Sequence, residues 1–328
     1  MNWASLDWES LDRLRETFLT DAKSRGPYWH TVTDLECYNF TYGERIGWKW
    51  DAVLRELKMR SWTPPGGAAV LDWGCGSGIA GRRVVDFFGA ENFSSLLVHD
   101  HSPIAIDFSE HYGRKAFPGL VVERASHRDL EGDASFGLLV VSHVVNELDE
   151  LARAQLASLC ARAETILWVE PGTHEASRLL GGWRETLRSA GMNVIAPCPH
   201  QNACGVLTPG NERHWCHFFA APPANIQADS EWVRFGQRAG IDLRSLPYSF
   251  LVLDRRPTAR PEGYSRIIGE ARHYKGYAKI FNCDAAGVSE LMLQKRDAPE
   301  LFKALKHSAG PELHRWTHTN GRITQIES

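Results

Sequence analysis

The chain has 328 residues, 43% hydrophobic and 23% charged, an ordinary globular composition with length for a full core and more than one domain. The formal net charge of −3 excludes a uniformly basic nucleic-acid glove, so any RNA contact is expected from a local patch. No apolar run approaches the ~20 residues that span a bilayer, and Asp7, Glu9 and Asp12 sit in an N-terminus without an apolar core; the expected place is the bacterial cytoplasm, with no membrane partner and no DNA.

Residues 1–65 are expected to be a helical segment. LDRLRETFLTDAK and GERIGWKWDAVLRELKMR repeat apolar residues at three- and four-residue intervals, while YWHTVTDLECYNFTYG between them reads as aromatic and irregular. Pro64-Pro65-Gly66-Gly67 then breaks the chain. From 66 to 197, strands and helices alternate. AAVLDWG, SSLLVHD, LVVERAS, FGLLVVSHVV and ETILWVEPG read as strands; IAGRRVVDFFG, PIAIDFSEHYGRK, LDELARAQLASLCARA and GGWRETLRSAGMNVIAP supply the helices and one more strand. This alternation implies a parallel sheet covered on both faces. Residues 198–220 form a Cys/His-rich loop. In 221–328, SLPYSFLVLDRR and YAKIFNCDAAGVSELMLQKR read as paired strands, and ELFKALKHSAG as a closing helix.

Where the first strand meets the first helix of the alternating region stands VLDWGCGSGIAG. Gly74, Gly76 and Gly78 permit a tight turn and close backbone approach to a ligand. Asp72 precedes them, Asp100 ends the second strand, and Asp129 lies in HRDLEGDASFG before the fourth. This set resembles the S-adenosylmethionine-dependent methyltransferase superfamily, which implies a Rossmann-like class I fold. By that resemblance Asp72 helps hold the amino-acid end of the cofactor, Asp100 accepts from the ribose hydroxyls, and Asp129 lies near the adenine. A dinucleotide fold using Gly74, Gly76 and Gly81 is the rival, but Asp72 would repel a pyrophosphate. SHVVNEL follows the fourth strand in place of the NPPY-like tetrapeptide of amino methyltransferases. No catalytic residue is assigned; Asn146 and Glu147 occupy the right neighbourhood, with a helix cap as their alternative role.

The stretch CPHQNACGVLTPGNERHWCH gathers Cys198, Cys204 and Cys216 with His200, His214 and His217. The seven cysteines are an odd count, and clustered thiols in a reducing compartment point to metal or redox chemistry rather than disulfides. Cys283, in KIFNCDAAG before a turn, is the natural fourth ligand, with the histidines as alternatives. Zinc and a 4Fe–4S cluster both suit such a set, and spacing does not separate them.

VEPG, APCPH, Cys204 and WCHF, in that order behind the glycine motif, resemble the methyltransferase-like proteins of the mitochondrial ribosomal small subunit and their bacterial relatives. PYSFLVLDRR, RII and KGYAKIFNCDAAG extend the likeness, with departures at Cys204-Gly205, at His214 before Trp-Cys, and in RAGIDLRSLPYSF. The resemblance implies a C-terminal β extension bearing a 4Fe–4S cluster on Cys198, Cys204, Cys216 and Cys283, and a role in small-subunit assembly. The function so implied is binding of S-adenosylmethionine and action on the small ribosomal subunit or its rRNA. A non-catalytic assembly factor using the fold as a docking scaffold is the alternative. A radical enzyme is disfavoured, because four cysteines leave no open iron and the glycine loop implies a separate cofactor pocket. Arg255, Arg256, Arg266, Arg272, Lys275 and Lys279, with Arg260 among them, are the candidate RNA-binding residues, interleaved with Tyr274 and Tyr277.

Overall fold

The computed structural model describes residues 1–19, 28–257, 263–306 and 313–327. In chain order these form α1 (Trp8–Leu19), α2 (Val32–Tyr38), α3 (Glu44–Met59), β1 (Ala68–Trp73), α4 (Ile79–Phe88), β2 (Phe93–His99), α5 (Pro103–Ala116), β3 (Val121–Arg124), α6 (His127–Glu131), β4 (Phe136–Ser142), α7 (Glu150–Arg162) and β5 (Ala163–Pro171). Then follow α8 (His174–Ser189), β6 (Asn193–Ala196), β7 (Phe218–Ala220), α9 (Ser230–Ala239), β8 (Leu246–Asp254), β9 (Ser265–His273), β10 (Tyr277–Asp284), β11 (Gly287–Gln294), α10 (Pro299–Ala304), β12 (Leu313–Thr319) and β13 (Arg322–Glu327). They cluster into two compact units, residues 1–169 with 221–246, and residues 170–220 with 247–328.

In the first unit, parallel strands run in the order β3-β2-β1-β4-β5. The chain winds outward from β1 through β2 to β3, then returns to the other side of β1 as β4 and β5. That reversal leaves a crevice at the carboxyl end of β1, where open α/β sheets bind ligands. The strands read as unbroken apolar runs because both faces are covered: Leu138, Leu139, Val140 and Val141 are all fully buried. The aromatic segment expected to be irregular is instead ordered. Thr31 and Asp34 form a reciprocal cap on α2, and residues Asn39–Gly43 make a π-helical turn that runs into α3. Helix α9, which follows the Asp229 cap, packs Trp232 against Trp3 and Trp48, with ring centroids 5.1 and 4.9 Å apart.

In the second unit, β8 pairs with β6 in antiparallel fashion and also with β7. It does not pair with β10, as SLPYSFLVLDRR and YAKIFNCDAAGVSELMLQKR had suggested; β10 makes a hairpin with β11 within the second stretch. Strands β10-β11-β13-β12-β9 close into a barrel. Ile267, Ala278, Ile280, Leu291, Leu293, Trp316 and Ile323 fill it, and Phe302 and Leu305 from the α10 region join the same core. The expected closing helix is therefore not the end of the fold. Helix α10 stops at Ala304, residues 307–310 of that expected helix lie outside the described residues, and a final hairpin follows. Its turn is Asn320-Gly321, both at positive φ, 50° and 73°, the pairing that a two-residue hairpin loop requires.

Candidate cofactor pocket and cysteine site

The glycine loop stands at the crevice. Gly74 and Gly76 have φ of 72° and 52°, where a side chain is strained. A Cβ on Gly74 would come 2.7 Å from Val144 Cγ1, so that position is closed; a Cβ on Gly76 would meet only Trp29, at 4.0 Å, so space remains above it. Asp100 ties the loop down: its Oδ2 accepts the Gly76 N–H at 2.9 Å and its Oδ1 the Ser102 N–H at 2.9 Å. Asp72 is fully buried, and its Oδ2 accepts the Gly81 N–H at 3.0 Å. Burial pushes its carboxyl up to about 7, against the pull of the Gly81 amide and Arg82.

Beyond β4, burial first and Asp100 second push Glu147 up to about 7, opposed by a hydrogen bond with the Tyr28 hydroxyl. Tyr28 is raised well above its ordinary value, chiefly by burial and then by Glu147 and Asp100. Its ring lies 4.7 Å from Trp29, which lies 4.9 Å from Tyr38, making an aromatic wall beside the two carboxylates. Trp29 Nε1, Asp72 Oδ1, Ser77 Oγ and Asn146 Oδ1 are all buried without a hydrogen-bond partner. Buried polar atoms are nearly always paired; four such atoms on and around one loop suit a polar ligand. Asn146 and Glu147 are not the helix cap: Asp149 caps α7, accepting from Ala152 N–H at 2.8 Å. Asp129 is engaged locally, accepting from Ser126 N–H and Oγ–H at 2.7 and 2.6 Å in the cap of α6.

Sequence reasoning did not find Tyr28, Trp29 or His143. His143, at the end of β4, holds φ 58°. Lys49 Nζ stands 3.2 Å from its Nε2 and Ser142 Oγ 3.1 Å from its Nδ1, while the Trp50 indole donates to Ser142 Oγ at 3.0 Å. Burial, then Lys49, hold the imidazole well below its usual value, so it is neutral. An ammonium only donates, so Nε2 accepts and the Nδ1–H points to Ser142. The only early signal was the position itself, in SHVVNEL.

In the second unit, α8 organises the cysteine loop. Arg184 donates Nε–H to Cys198 Sγ at 3.2 Å and a further N–H to the Asn202 carbonyl at 2.9 Å, and it pairs with Glu185. Glu185 accepts the Cys204 N–H at 3.2 Å. Arg178 reaches three loop carbonyls, those of Val206, Asn211 and His214, at 3.0 to 3.2 Å. Cys283 Sγ lies 3.5 Å from His200 Nε2, and Cys204, Cys216 and Cys283 share a small cluster with Val206 and Ile268. Burial pushes Cys216 up strongly, and Cys198, Cys204 and Cys283 push it further, while Arg266 pulls it down. All four thiols are free and act on one another. Among the described residues, no group of three or more His, Cys, Asp or Glu side chains is placed to hold a metal ion.

The candidate RNA-binding residues separate. Arg266 is 2% exposed, its guanidinium 3.9 Å from the Phe218 ring centroid and donating to the Pro197 carbonyl, so it is interior and not part of a basic surface. Arg256 pairs with the buried Asp254 at 2.6 Å, and Arg255 is exposed beside it. Arg272 and Lys279 both pair with Glu290, and Lys275 is exposed at the β9–β10 turn. Arg260 lies outside the described residues. No described helix is long and apolar enough to cross a membrane.

A family described as "Mitochondrial small ribosomal subunit Rsm22" matches residues 48–313. No curated protein matches the chain. Among solved structures, a magnesium protoporphyrin IX methyltransferase from Synechocystis with bound S-adenosylmethionine is 11% identical, covering 78% of this chain and 100% of its own, at a TM-score of 0.39. An N-methyltransferase from Bradyrhizobium japonicum in complex with S-adenosyl-L-homocysteine is 12% identical, covering 74% and 98%, at a TM-score of 0.38.

Proposed function

The chain belongs to the Rsm22 family of the mitochondrial small ribosomal subunit, and from that membership we propose that it binds S-adenosylmethionine and methylates the small ribosomal subunit or its rRNA during assembly, in the bacterial cytoplasm. The observation that carries this reading is the Asp100–Gly76 tie at the crevice of β1, with four unpartnered buried polar atoms around it. When bound, the cofactor supplies an electrophilic methyl group.

This chain's own residues bind and orient. The glycine loop and Asp100 hold the nucleoside end. Trp29 and Tyr28 exclude water on one side. Glu147, with a carboxyl near pH 7, accepts the proton released by an attacking ring or exocyclic nitrogen, and Tyr28 holds that carboxyl in place. Positioning supplies most of the rate, because methyl transfer needs an in-line approach and little covalent help.

The same reading places a structural 4Fe–4S cluster on Cys198, Cys204, Cys216 and Cys283. Four free thiols that act on one another, three of them in one small cluster with Val206 and Ile268, support it. A cluster held by four thiolates carries net negative charge, and Arg184 and Arg266 are the two buried cations acting on those thiols.

The test is transfer of radiolabelled methyl from S-adenosylmethionine into small subunits isolated from cells lacking this protein. Label in the rRNA that is lost with Glu147→Gln supports the reading. Cofactor binding with no transfer to any assembly intermediate would leave the fold as a docking scaffold.

A further inference from the structure

The C-terminal barrel has a connectivity with its own consequence. Counting β9 to β13 as strands one to five, the closed order is 1-2-3-5-4 and back to 1. Strands three and five, β11 and β13, pair in parallel through Met292 and Arg322, while β9–β10, β10–β11, β12–β13 and β9–β12 are antiparallel. Helix α10 lies between strands three and four. This is the connectivity of the OB-fold, a five-stranded Greek-key barrel that binds oligonucleotides across strands two and three and between the loops joining strands 1–2 and 4–5.

The side chains at that place suit the role. On the outer face of β10 and β11, Tyr277 stands opposite Gln294, Lys279 opposite Met292 and Phe281 opposite Glu290. The alternate residues Ala278, Ile280, Leu291 and Leu293 point into the barrel core. The 1–2 turn carries Tyr274, which is 45% exposed and stacked on Tyr277 with ring centroids 4.6 Å apart and planes 13° from parallel. A core role does not account for this pair, since neither ring belongs to the barrel cluster. Arg272 and Lys279 both pair with Glu290, and Lys275 and Lys295 are exposed beside the turn, so four cations stand around Glu290 and the turn. The 4–5 turn is adjacent, with the Gly321 carbonyl accepting the Met292 N–H at 2.7 Å. The other end of the face is closed: Phe281 is stacked by His214 at 4.4 Å, and Cys283 and Val288 pack under Cys204 and Cys216.

We propose that this barrel is a single-stranded RNA-binding module, with Tyr274 and Tyr277 as the base-stacking platform and Lys275, Lys279 and Arg272 as phosphate contacts, bounded at its far end by the cysteine loop. The choice of RNA rests on the proposed action on rRNA; the surface itself rests on the barrel. Stacking on aromatic rings with a basic track is the sequence-tolerant mode for unpaired strands. The wide, shallow groove of a duplex offers no unstacked base to such a platform.

The experiment is fluorescence anisotropy of a labelled 12-nucleotide single-stranded RNA, and of the same sequence as a duplex, with the full-length protein purified without oxygen. Binding of S-adenosylhomocysteine is titrated on the same preparation. The expected result is preference for the single strand, salt-dependent affinity, and a loss of about tenfold or more for Tyr274→Ala with Tyr277→Ala. Lys275→Glu, at an exposed turn, should weaken binding and flatten the salt dependence without touching the ring stack. The proposal is overturned if the double tyrosine variant binds single strands like the wild type. Preference for the duplex, or no RNA binding by protein that still binds the nucleoside, overturns it equally. Tyrosine-dependent RNA binding by protein that fails to bind the nucleoside would instead overturn the cofactor reading and leave the module standing.

Discussion

The Asp100 carboxylate accepts the amide N–H of Gly76 at 2.9 Å, joining the end of β2 to the turn after β1. One side chain thus fixes the loop conformation, and in the proposed function the same carboxylate accepts from the ribose hydroxyls. Asp100→Asn keeps the shape but removes the charge and offers one acceptor oxygen where the carboxylate offers two, so either the Gly76 or the Ser102 amide loses its partner; Asp100→Ala leaves both unpaired. Asp100→Ala is expected to cost about 1–3 kcal/mol of stability, Asp100→Asn less, and both should weaken nucleoside binding. Chemical denaturation without ligand checks the first expectation.

Asp72 predicts a pH effect of definite sign. Its carboxyl ordinarily titrates at 3.8 and in the fold is pushed up to about 7. Between those values the unfolded chain has already lost the proton that the folded one keeps. Stability therefore falls as pH rises from about 4 to 7, and the full penalty is present above 7. Asp72→Asn removes it while retaining an acceptor for Gly81. Its stability advantage over the wild type should reach about 4 kcal/mol at pH 8 and be smaller by about 3 kcal/mol at pH 5, read as a larger difference in melting temperature at the higher pH. A gap independent of pH would show that Asp72 is ionised in the fold.

Glu147 predicts the pH profile of turnover. Its folded value near 7 means that the base form accumulates as pH rises through neutrality, so the rate should climb across pH 6 to 8 and then level. Glu147→Gln should lower kcat by about 10²–10⁴-fold and flatten that rise, with nucleoside affinity little changed. An unchanged profile in the variant would assign the proton to another group.

Arg184 is the structural lynchpin of the cysteine loop. It donates to Cys198 Sγ and to the Asn202 carbonyl, and it is 3% exposed. Arg184→Ala is expected to cost about 2–4 kcal/mol, since the Cys198 and Asn202 acceptors, along with the Glu185 carboxylate, lose a charged donor, and to lower iron content after oxygen-free purification. Arg184→Lys should recover only part of the loss, because a lysine cannot serve both acceptors with a planar fork. Cys283→Ser should lose iron without the same loss of loop order.

The alternating half of the chain was legible because parallel strands covered on both faces are written as continuous apolar runs closed by glycines. Asp72 and Asp100 stood out because acids end two of those runs. Other parts were hidden for identifiable reasons. Strand β12, LHRWTHT, buries only Trp316 deeply, so it lacks an apolar alternation, and the Asn320-Gly321 turn signal stands beside it without a flanking apolar run. The grouping of basic residues in the last third suggested one patch, but sequence does not reveal that Arg266 turns inward over Phe218. The aromatic wall of Tyr28 and Trp29 comes from a segment far from the glycine loop in sequence, and only tertiary packing brings it there. The same holds for Arg178 and Arg184, whose helix reads as an ordinary amphipathic one.

The most direct test of the central claim is calorimetric titration of S-adenosylhomocysteine into the full-length protein and into Asp100→Ala. The account predicts one site per chain, with micromolar affinity in the wild type, weakened at least about 30-fold by the substitution, roughly the 2 kcal/mol of a charged hydrogen bond. Saturable binding that is indifferent to Asp100, or no binding to folded protein, would contradict it.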